Sequence, residues 1–240
     1  MRKLRVCLTS DLYCHYDDGD NLVVVIDILR ATSVISTAFH YGIKEVIVVS
    51  SLQEASKYLG MKGYIVGAER NAMPLENFDY GNSPFQYMNK AIKGQKLVLT
   101  TTNGTKAINL AKKHQVITAS YLNIDAVHQF ICSVQKDVVL VCSGWKGLVN
   151  MEDSIFAGEL SCKLLESNLF EFSCDSVIAS TNLYHAAGED LFNFLENSSH
   201  RKRLQHLDAM EHDTRFCLSP TFRSEIIPML KDGRLIDVIS

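Results

Sequence analysis

The continuous aliphatic run at residues 22–26, Leu-Val-Val-Val-Ile, constrains the fold more than any other feature of the sequence. A β-branched segment without alternating polar residues predicts a strand that is buried on both faces of its sheet. Such a strand requires a layer of structure on each side. Residues 31–41 follow with a helical pattern that stops at Gly42, a residue type common just after helix ends.

The same alternation of short apolar runs and helical segments continues along the chain. It predicts an α/β fold with a mostly parallel sheet flanked by helices. Further strands are predicted at residues 44–49, 64–66, 97–100 and 138–142. Further helices are predicted at residues 52–59, through Ala107, Leu110 and Ala111, and through Phe156, Leu160 and Leu164.

The last third of the chain is less regular. It predicts a strand at residues 175–180 and helices at residues 186–195 and 199–210. Because no low-complexity linker or internal repeat interrupts the sequence, one domain over residues 1–240 is expected. A division of this domain into two α/β lobes near residues 121–140 is left open.

Charge and cysteine content exclude several classes of partner. A net charge of -3 provides no basic surface for nucleic acid or for an anionic membrane. The longest strongly apolar run stops at Asp27, far short of the about 20 residues that span a bilayer. Seven cysteines without a CxxC pair favour reduced thiols and a cytoplasmic location. An anionic ligand would therefore need positive charge supplied locally.

Polar and charged residues cluster directly after the predicted strands. In parallel α/β sheets, ligands bind outside the carboxyl ends of the strands. These positions supply two carboxylates, two arginines, two lysines and several hydroxyls, which suits a site for phosphate and a metal. The charged members are Asp27, Arg30, Glu69, Arg70, Lys106 and Lys146.

Each of these segments also has a purely structural interpretation. Asp27 and Arg30 suit a magnesium ligand beside a phosphate clamp, or a helix cap with a structural ion pair, and two charges directly after five apolar residues favour the first. The segment TTTNGTKA suits an anion-binding helix start, or a tight turn with Thr105 as the N-cap. Glu69 and Arg70, taken alone, favour an exposed ion pair of little energetic value.

Two further polar segments are also open to both interpretations. Turn chemistry explains Asn82 in the sequence FDYGNSP, although Ser83 can still reach a ligand. Glu152 and Asp153 suit the first turn of a helix, and adjacent acids are also hard oxygen ligands for magnesium.

The signatures of the familiar phosphatase nucleophiles are missing. DILRA lacks the second aspartate of a DxDx[TV] motif, no arginine follows Cys142 at CxxxxxR spacing, and no Arg-His-Gly is present. Metal-activated water or a less familiar nucleophile therefore remains. Four histidines in the last third show no metal-binding spacing and favour structural or surface roles: His185, His200, His206 and His212.

Six motifs occur along the chain in the order VVVIDILRATSVISTA, GAERN, FDYGNSP, LVLTTTNGTKAI, CSGWKGLVNMEDSIFAG and HDTRFC. Taken together, they resemble the 2-phosphosulfolactate phosphatase family. The resemblance implies a family-specific α/β fold, a requirement for Mg²⁺, and hydrolysis of (2R)-2-phospho-3-sulfolactate to 3-sulfolactate and phosphate in coenzyme M biosynthesis. A small anionic phosphorylated substrate is thus the expected partner.

The same resemblance implies a set of site residues. The implied catalytic residues are Asp27, Arg30, Glu69 and Arg70. The implied phosphate-binding residues are Asn82, Ser83, Thr102, Asn103, Gly104 and Thr105. The implied metal ligands are Asp27, Glu69, Glu152 and Asp153. Two alternatives stay open, namely a phosphatase for another small phosphorylated hydroxy acid and a non-catalytic protein that binds an anionic metabolite. The oligomeric state is also open, with a homodimer as one alternative.

Overall fold

A computed structural model describes residues 1–70, 73–204 and 208–239. The strands, β1 to β11 in chain order, are Arg2–Cys7, Asn21–Ile26, Glu45–Val48, Tyr64–Arg70, Met73–Pro74, Lys96–Thr100, Gln115–Ala119, Asp137–Cys142, Phe170–Phe172, Pro228–Lys231 and Arg234–Asp237. The helices, α1 to α9, are Ala31–His40, Leu52–Ser56, Gly104–Leu110, Ile124–Ser133, Met151–Glu166, Asp175–Ala187, Leu191–Phe194, Ser199–Leu204 and Asp208–Leu218. Within these described ranges, no helix is both long and apolar enough to cross a membrane.

The strands form one mostly parallel sheet with the order β5-β4-β6-β3-β11-β10-β7-β2-β8-β1-β9. Strands β4, β6 and β3 make one parallel group, and β7, β2, β8, β1 and β9 make the other. The hairpin β10–β11 joins the two groups through antiparallel pairings with β7 and β3. This result confirms the predicted α/β class with a mostly parallel sheet.

The antiparallel hairpin makes the two parallel groups run in opposite directions where they meet. A flat sheet would then separate the carboxyl end of β2 from that of β6. Neighbouring strands twist by about 20–25°, so the five steps from β2 to β6 accumulate on the order of 100°. The twisted sheet therefore allows the ends of both groups to approach each other, as the contacts of the site demonstrate below.

Strand β2 is buried on both faces, as the aliphatic run predicts. Leu22, Val24 and Ile26 belong to one hydrophobic cluster, together with residues of α4 and α5. Val23 and Val25 belong to the cluster on the other face, together with residues of α1 and α3. Both faces of β2 are covered by protein. The side chain of Asp27, the first polar residue after β2, is therefore also buried, at the edge of the sheet where the strand ends.

The predicted strand at residues 175–180 is wrong, because this segment begins helix α6. Val177 and Ser180, three residues apart, face the protein interior. Gly158 of α5 permits the close packing, since a Cβ there would lie 2.1 Å from the Ser180 carbonyl oxygen. Helix packing thus overrides the local strand preference of this short segment.

The two predicted helices that follow have different boundaries in the structure. Helix α6 ends at Ala187, where Gly188 adopts φ +61°, and the short α7 begins after Asp190. The single helix predicted at 199–210 corresponds to α8 and the start of α9, while residues 205–207 lie outside the described residues. His206, one of the four histidines in the last third of the chain, lies within these residues.

Candidate functional site

Asp27 lies immediately after β2 and close to the start of α1, whose N-cap residue is Arg30. Its Oδ1 accepts a hydrogen bond from the Ala31 backbone N–H at 3.2 Å. The Thr32 hydroxyl bonds both the backbone N–H and the carbonyl of Asp27, at 3.1 and 2.9 Å. Burial, with smaller contributions from the charges of Glu69 and Glu152, raises the pKa of Asp27 to about 6, although the hydrogen bond from the Ala31 N–H opposes the shift. Asp27 therefore accepts a hydrogen bond from the first turn of α1 and also belongs to an acidic cluster with Glu69 and Glu152.

Glu69 brings a second carboxylate to the same region from β4. Its side chain is buried, with 6% of its surface exposed, so the interpretation as an exposed ion pair is wrong. The Thr102 hydroxyl donates to Glu69 Oε1 at 3.3 Å. Arg70 donates to the Thr100 hydroxyl at 3.0 Å and to the Glu69 carbonyl at 2.6 Å. Arg70 thus ties the end of β4 to the end of β6.

Glu152, in the first turn of α5, adds a third carboxylate and brings a histidine with it. Its Oε1 lies 2.6 Å from Nδ1 of His200, which is buried on α8. The other oxygen, Oε2, is buried without a hydrogen-bond partner among the described residues. His200 was expected to be structural or on the surface, whereas it contacts the acidic cluster directly.

Asp153 supports the loops around the cluster. Its Oδ1 accepts from the Ile28 N–H at 2.8 Å and its Oδ2 from the Gly144 N–H at 3.3 Å. The side chain is fully buried, and this burial, with the nearby charge of Asp27, raises its pKa well above the ordinary value. Asp153 therefore links the loop after β2 to the loop after β8.

Arg30 joins the site through an ion pair that the sequence motifs did not single out. Its Nη1 bonds Oδ2 of Asp213 on α9, and both side chains are buried. Ser83 donates its hydroxyl to the other oxygen of Asp213 at 2.6 Å. Asn82, next to Ser83, is buried, and its Oδ1 has no partner in the described residues. Asp213 lies within the motif HDTRFC, but only the fold shows its contacts.

The first residue of α3, Gly104, directly follows the loop after β6 and lies against Asp27. A Cβ built on Gly104 would lie 2.6 Å from the Ala31 Cβ and 2.7 Å from Asp27 Oδ2. Asn103, not Thr105, occupies the N-cap position of α3, and its Oδ1 accepts from the Lys146 N–H at 3.4 Å. The Thr105 hydroxyl is already bonded to the Thr101 carbonyl at 2.8 Å. Thr105 as the N-cap is therefore wrong.

The two lysines near the strand ends point in other directions. Lys106 pairs with Asp11, and both side chains are about half exposed. The Lys146 ammonium lies 4.6 Å from the centre of the Trp145 ring. Of the four cations predicted at the strand ends, Arg30 is the one whose side chain is buried, in its pair with Asp213.

The oxygen atoms of the acidic cluster are of the type that binds Mg²⁺, but they do not form a complete coordination site. Asp27, Glu69 and Glu152 offer hard carboxylate oxygens, one of which, Glu152 Oε2, is buried and unpartnered. In the described part of the chain, no three His, Cys, Asp or Glu side chains converge on one metal position. Mg²⁺ often binds through one or two carboxylates and retains several waters, so the residues present fit this ion.

Cys142 ends β8 and is completely buried, and we predict that it has no role in catalysis. Burial raises the pKa of its thiol well above the ordinary value, with Asp153 adding to the effect, so the reactive thiolate is disfavoured. Cys142→Ala should retain more than about half of the wild-type kcat/KM while lowering the melting temperature. Phosphate release and thermal melting test this, and a phosphocysteine trapped at Cys142 would overturn it.

Comparisons with known proteins agree on one family. The family model described as 2-phosphosulpholactate phosphatase matches residues 7–233. A protein of Caldanaerobacter subterraneus subsp. tengcongensis is 40% identical over 232 residues, covering 94% of this chain and 95% of the relative. A protein of Thermotoga petrophila is 37% identical over 213 residues, covering 89% and 90%. A protein of Clostridium perfringens strain SM101 is 35% identical over 245 residues, covering 99% and 97%. All three are named "Probable 2-phosphosulfolactate phosphatase".

Proposed function

The chain belongs to the 2-phosphosulfolactate phosphatase family, and we propose that it hydrolyses (2R)-2-phospho-3-sulfolactate to 3-sulfolactate and phosphate with the help of Mg²⁺. The family makes the chain a phosphoric monoester hydrolase. The observation that carries the finer proposal is the close approach of Gly104, where the loop after β6 enters α3, to the Asp27 carboxylate. A loop suited to an anion and a carboxylate suited to a cation meet there.

The metal is proposed to be held by Asp27 together with Glu69 or Glu152, with water completing its coordination. Asp27 is the central carboxylate, because the charges of Glu69 and Glu152 act on it directly. Asp153 is less suited, since both of its oxygens already accept backbone N–H groups. When bound, Mg²⁺ neutralises the charge that the phosphoryl group carries in the transition state.

The remaining residues are proposed to bind and orient the substrate. Arg30 provides a planar guanidinium that recognises phosphate or carboxylate oxygens. The backbone N–H groups of Asn103 and of Gly104, which lies against Asp27, are proposed to contact the phosphate. Arg70 and Asp153 keep the strand ends together through the bonds described above. Orientation of this kind contributes strongly to phosphoryl transfer, in which the protein does little covalent chemistry.

A cytoplasmic location is part of the proposal. All seven cysteines of the chain are free thiols in the structure, which agrees with a reducing compartment. The homodimer remains one proposal for the oligomeric state.

Removal of the metal tests the magnesium requirement. We expect exhaustive dialysis against EDTA to lower phosphate release from 2-phosphosulfolactate by about 100-fold or more, because the clustered carboxylates then repel a substrate whose phosphate, carboxylate and sulfonate are all anionic. Addition of Mg²⁺ should restore the rate, whereas Na⁺ at equal ionic strength should not. Full activity in the metal-free protein would contradict the proposal.

The substrate is tested separately, with Mg²⁺ present. Phosphate release from 2-phosphosulfolactate is compared with release from 2-phospholactate, which lacks the sulfonate, and from 2-phosphomalate, which carries a carboxylate in its place. We expect the highest kcat/KM for 2-phosphosulfolactate. A higher value for either analogue would reject this substrate while leaving the phosphatase assignment intact.

A further inference from the structure

Asp213 on α9 is bonded to two residues of the site from separate parts of the chain. Its Oδ2 pairs with Arg30 Nη1 at the start of α1, and its Oδ1 accepts the Ser83 hydroxyl at 2.6 Å. The side chains of Arg30 and Asp213 are only 7% and 4% exposed. One buried carboxylate thus fixes a cation and a hydroxyl at the same time.

The position of Asp213 is itself fixed by packing on either side of it. His212 stacks on Phe85 with ring centres 4.1 Å apart and an angle of 8° between the planes. Phe216 packs against the same ring at 5.1 Å. Phe85 lies two residues after Ser83, so α9 and the Ser83 turn are held together independently of the carboxylate.

Stability is a weak reason for such a buried pair. Removing two charges from water costs free energy that their attraction only partly returns, and apolar replacements are often no less stable. What an apolar residue cannot supply is orientation, because a carboxylate fixes both the plane of a guanidinium and the direction of a hydroxyl. We propose that Asp213 is a positioning residue for the phosphatase reaction and acts through Arg30 and Ser83.

The bond to Ser83 has a specific chemical consequence. A serine hydroxyl has one proton to donate and two lone pairs. The Asp213 carboxylate accepts from Arg30 through one oxygen and from the Ser83 hydroxyl through the other, so the Ser83 proton is committed to it. Toward the rest of the site Ser83 Oγ is therefore a hydrogen-bond acceptor. In this state it cannot donate to a phosphate oxygen, and it instead suits a donor such as the attacking water.

Asp213→Asn tests this inference with almost no change in volume. The asparagine carbonyl can still accept from Arg30, but its NH₂ group donates to Ser83 Oγ and reverses the direction of the hydroxyl. We expect kcat to fall about 50-fold with KM within about threefold of wild type, the pattern of an interaction made only in the transition state. Glu211→Gln, which alters an exposed pair with Arg215 on the same helix, is the control and should stay within about twofold.

A double-mutant cycle separates positioning from a structural role. Ser83→Ala should lower kcat by about 10-fold. The double variant, Asp213→Asn with Ser83→Ala, should have a kcat within about threefold of that of Asp213→Asn alone. Losses that simply multiply, or an Asp213→Asn variant that keeps more than half of the wild-type kcat, would overturn the inference. If the Asp213→Asn variant does not fold, Asp213→Glu is used in its place, because glutamate retains the charge but moves the carboxylate. The same limits on kcat and on the double-mutant cycle then apply.

The inference rests on the proposed function, and the substrates distinguish the two. Wild type and variants are assayed with 2-phosphosulfolactate, 2-phosphomalate and p-nitrophenyl phosphate. If wild type does not cleave the first, the proposed substrate is wrong, and the variants are scored on the monoester that wild type cleaves best. The ratio of variant to wild-type kcat on that monoester then supports or overturns the role of Asp213 by the same limits.

Discussion

Asp27→Asn is expected to lower kcat/KM with Mg²⁺ by about 10³-fold or more, because it removes the charge at the centre of the proposed metal site. The local fold should persist. The asparagine carbonyl can still accept the Ala31 N–H, and the Thr32 bonds involve only the Asp27 backbone. Phosphate-release kinetics and circular dichroism measure the two effects. Substantial magnesium-dependent turnover in the variant would rule out the central role of Asp27.

The same substitution gives a second result that does not depend on activity. The pKa of Asp27 is raised from 3.8 to about 6 in the folded protein by burial and by the charges of Glu69 and Glu152. Stability associated with the protonated form is thus fully present below pH 3.8 and is lost as the pH rises through about 6. Asparagine avoids this loss. Without metal, the Asp27→Asn variant should melt above wild type at pH 7.5, whereas the two should converge near pH 4.

Addition of Mg²⁺ should reverse the order of the melting temperatures at pH 7.5. A ligand that binds only the folded state stabilises it by mass action, so wild type should gain and Asp27→Asn should not. Asp20→Asn, at a side chain 80% exposed beside Lys136, is the control and should respond like wild type. An equal gain in Asp27→Asn and wild type would contradict metal binding at Asp27.

Local sequence patterns were sufficient to predict the centre of the fold and part of the site. The aliphatic run before Asp27 indicated a strand buried on both faces, and burial of this kind determines where the next polar side chain lies. The strands that the pattern missed include β10 and β11, whose place between β7 and β3 depends on pairings distant in the chain. The local pattern of apolar residues does not indicate which strands will be neighbours in the sheet.

Two contacts of the site were missed for a related reason. Asp213 and His200 lie on short polar helices near the carboxyl end, where the residues favour surface positions when considered alone. The structure instead pairs them with Arg30 and Glu152, which lie 183 and 48 residues away in sequence. The motif HDTRFC marked the segment around Asp213 but not its partner. A pairing at such a distance becomes visible only when the fold brings the helices together.

Gly104→Ala is expected to lower kcat/KM by about 100-fold or more, because even one added carbon displaces the loop from Asp27. Glycine is required at position 104 because of close contacts and not because of the backbone conformation, since the φ angle of Gly104 is not positive. Contacts of 2.6 Å to the Ala31 Cβ and 2.7 Å to Asp27 Oδ2 are shorter than real Cβ atoms tolerate. Gly104→Val should be worse. Lys112→Ala, at an exposed position just beyond α3, is the control and should retain wild-type activity.

A second substitution identifies which of the two contacts matters for function. Ala31→Gly removes the Ala31 Cβ and relieves that clash, while the contact with Asp27 Oδ2 remains. If the contact between the loop and Asp27 is functional, Gly104→Ala with Ala31→Gly should recover melting temperature relative to Gly104→Ala but remain at least about 10-fold slow. Ala31→Gly alone serves as the reference, because glycine near a helix start carries its own cost of up to about 1 kcal/mol. If the double variant recovers full activity together with stability, Gly104 is needed only for helix packing. The close approach of Gly104 to the Asp27 carboxylate would then not be the basis of the site.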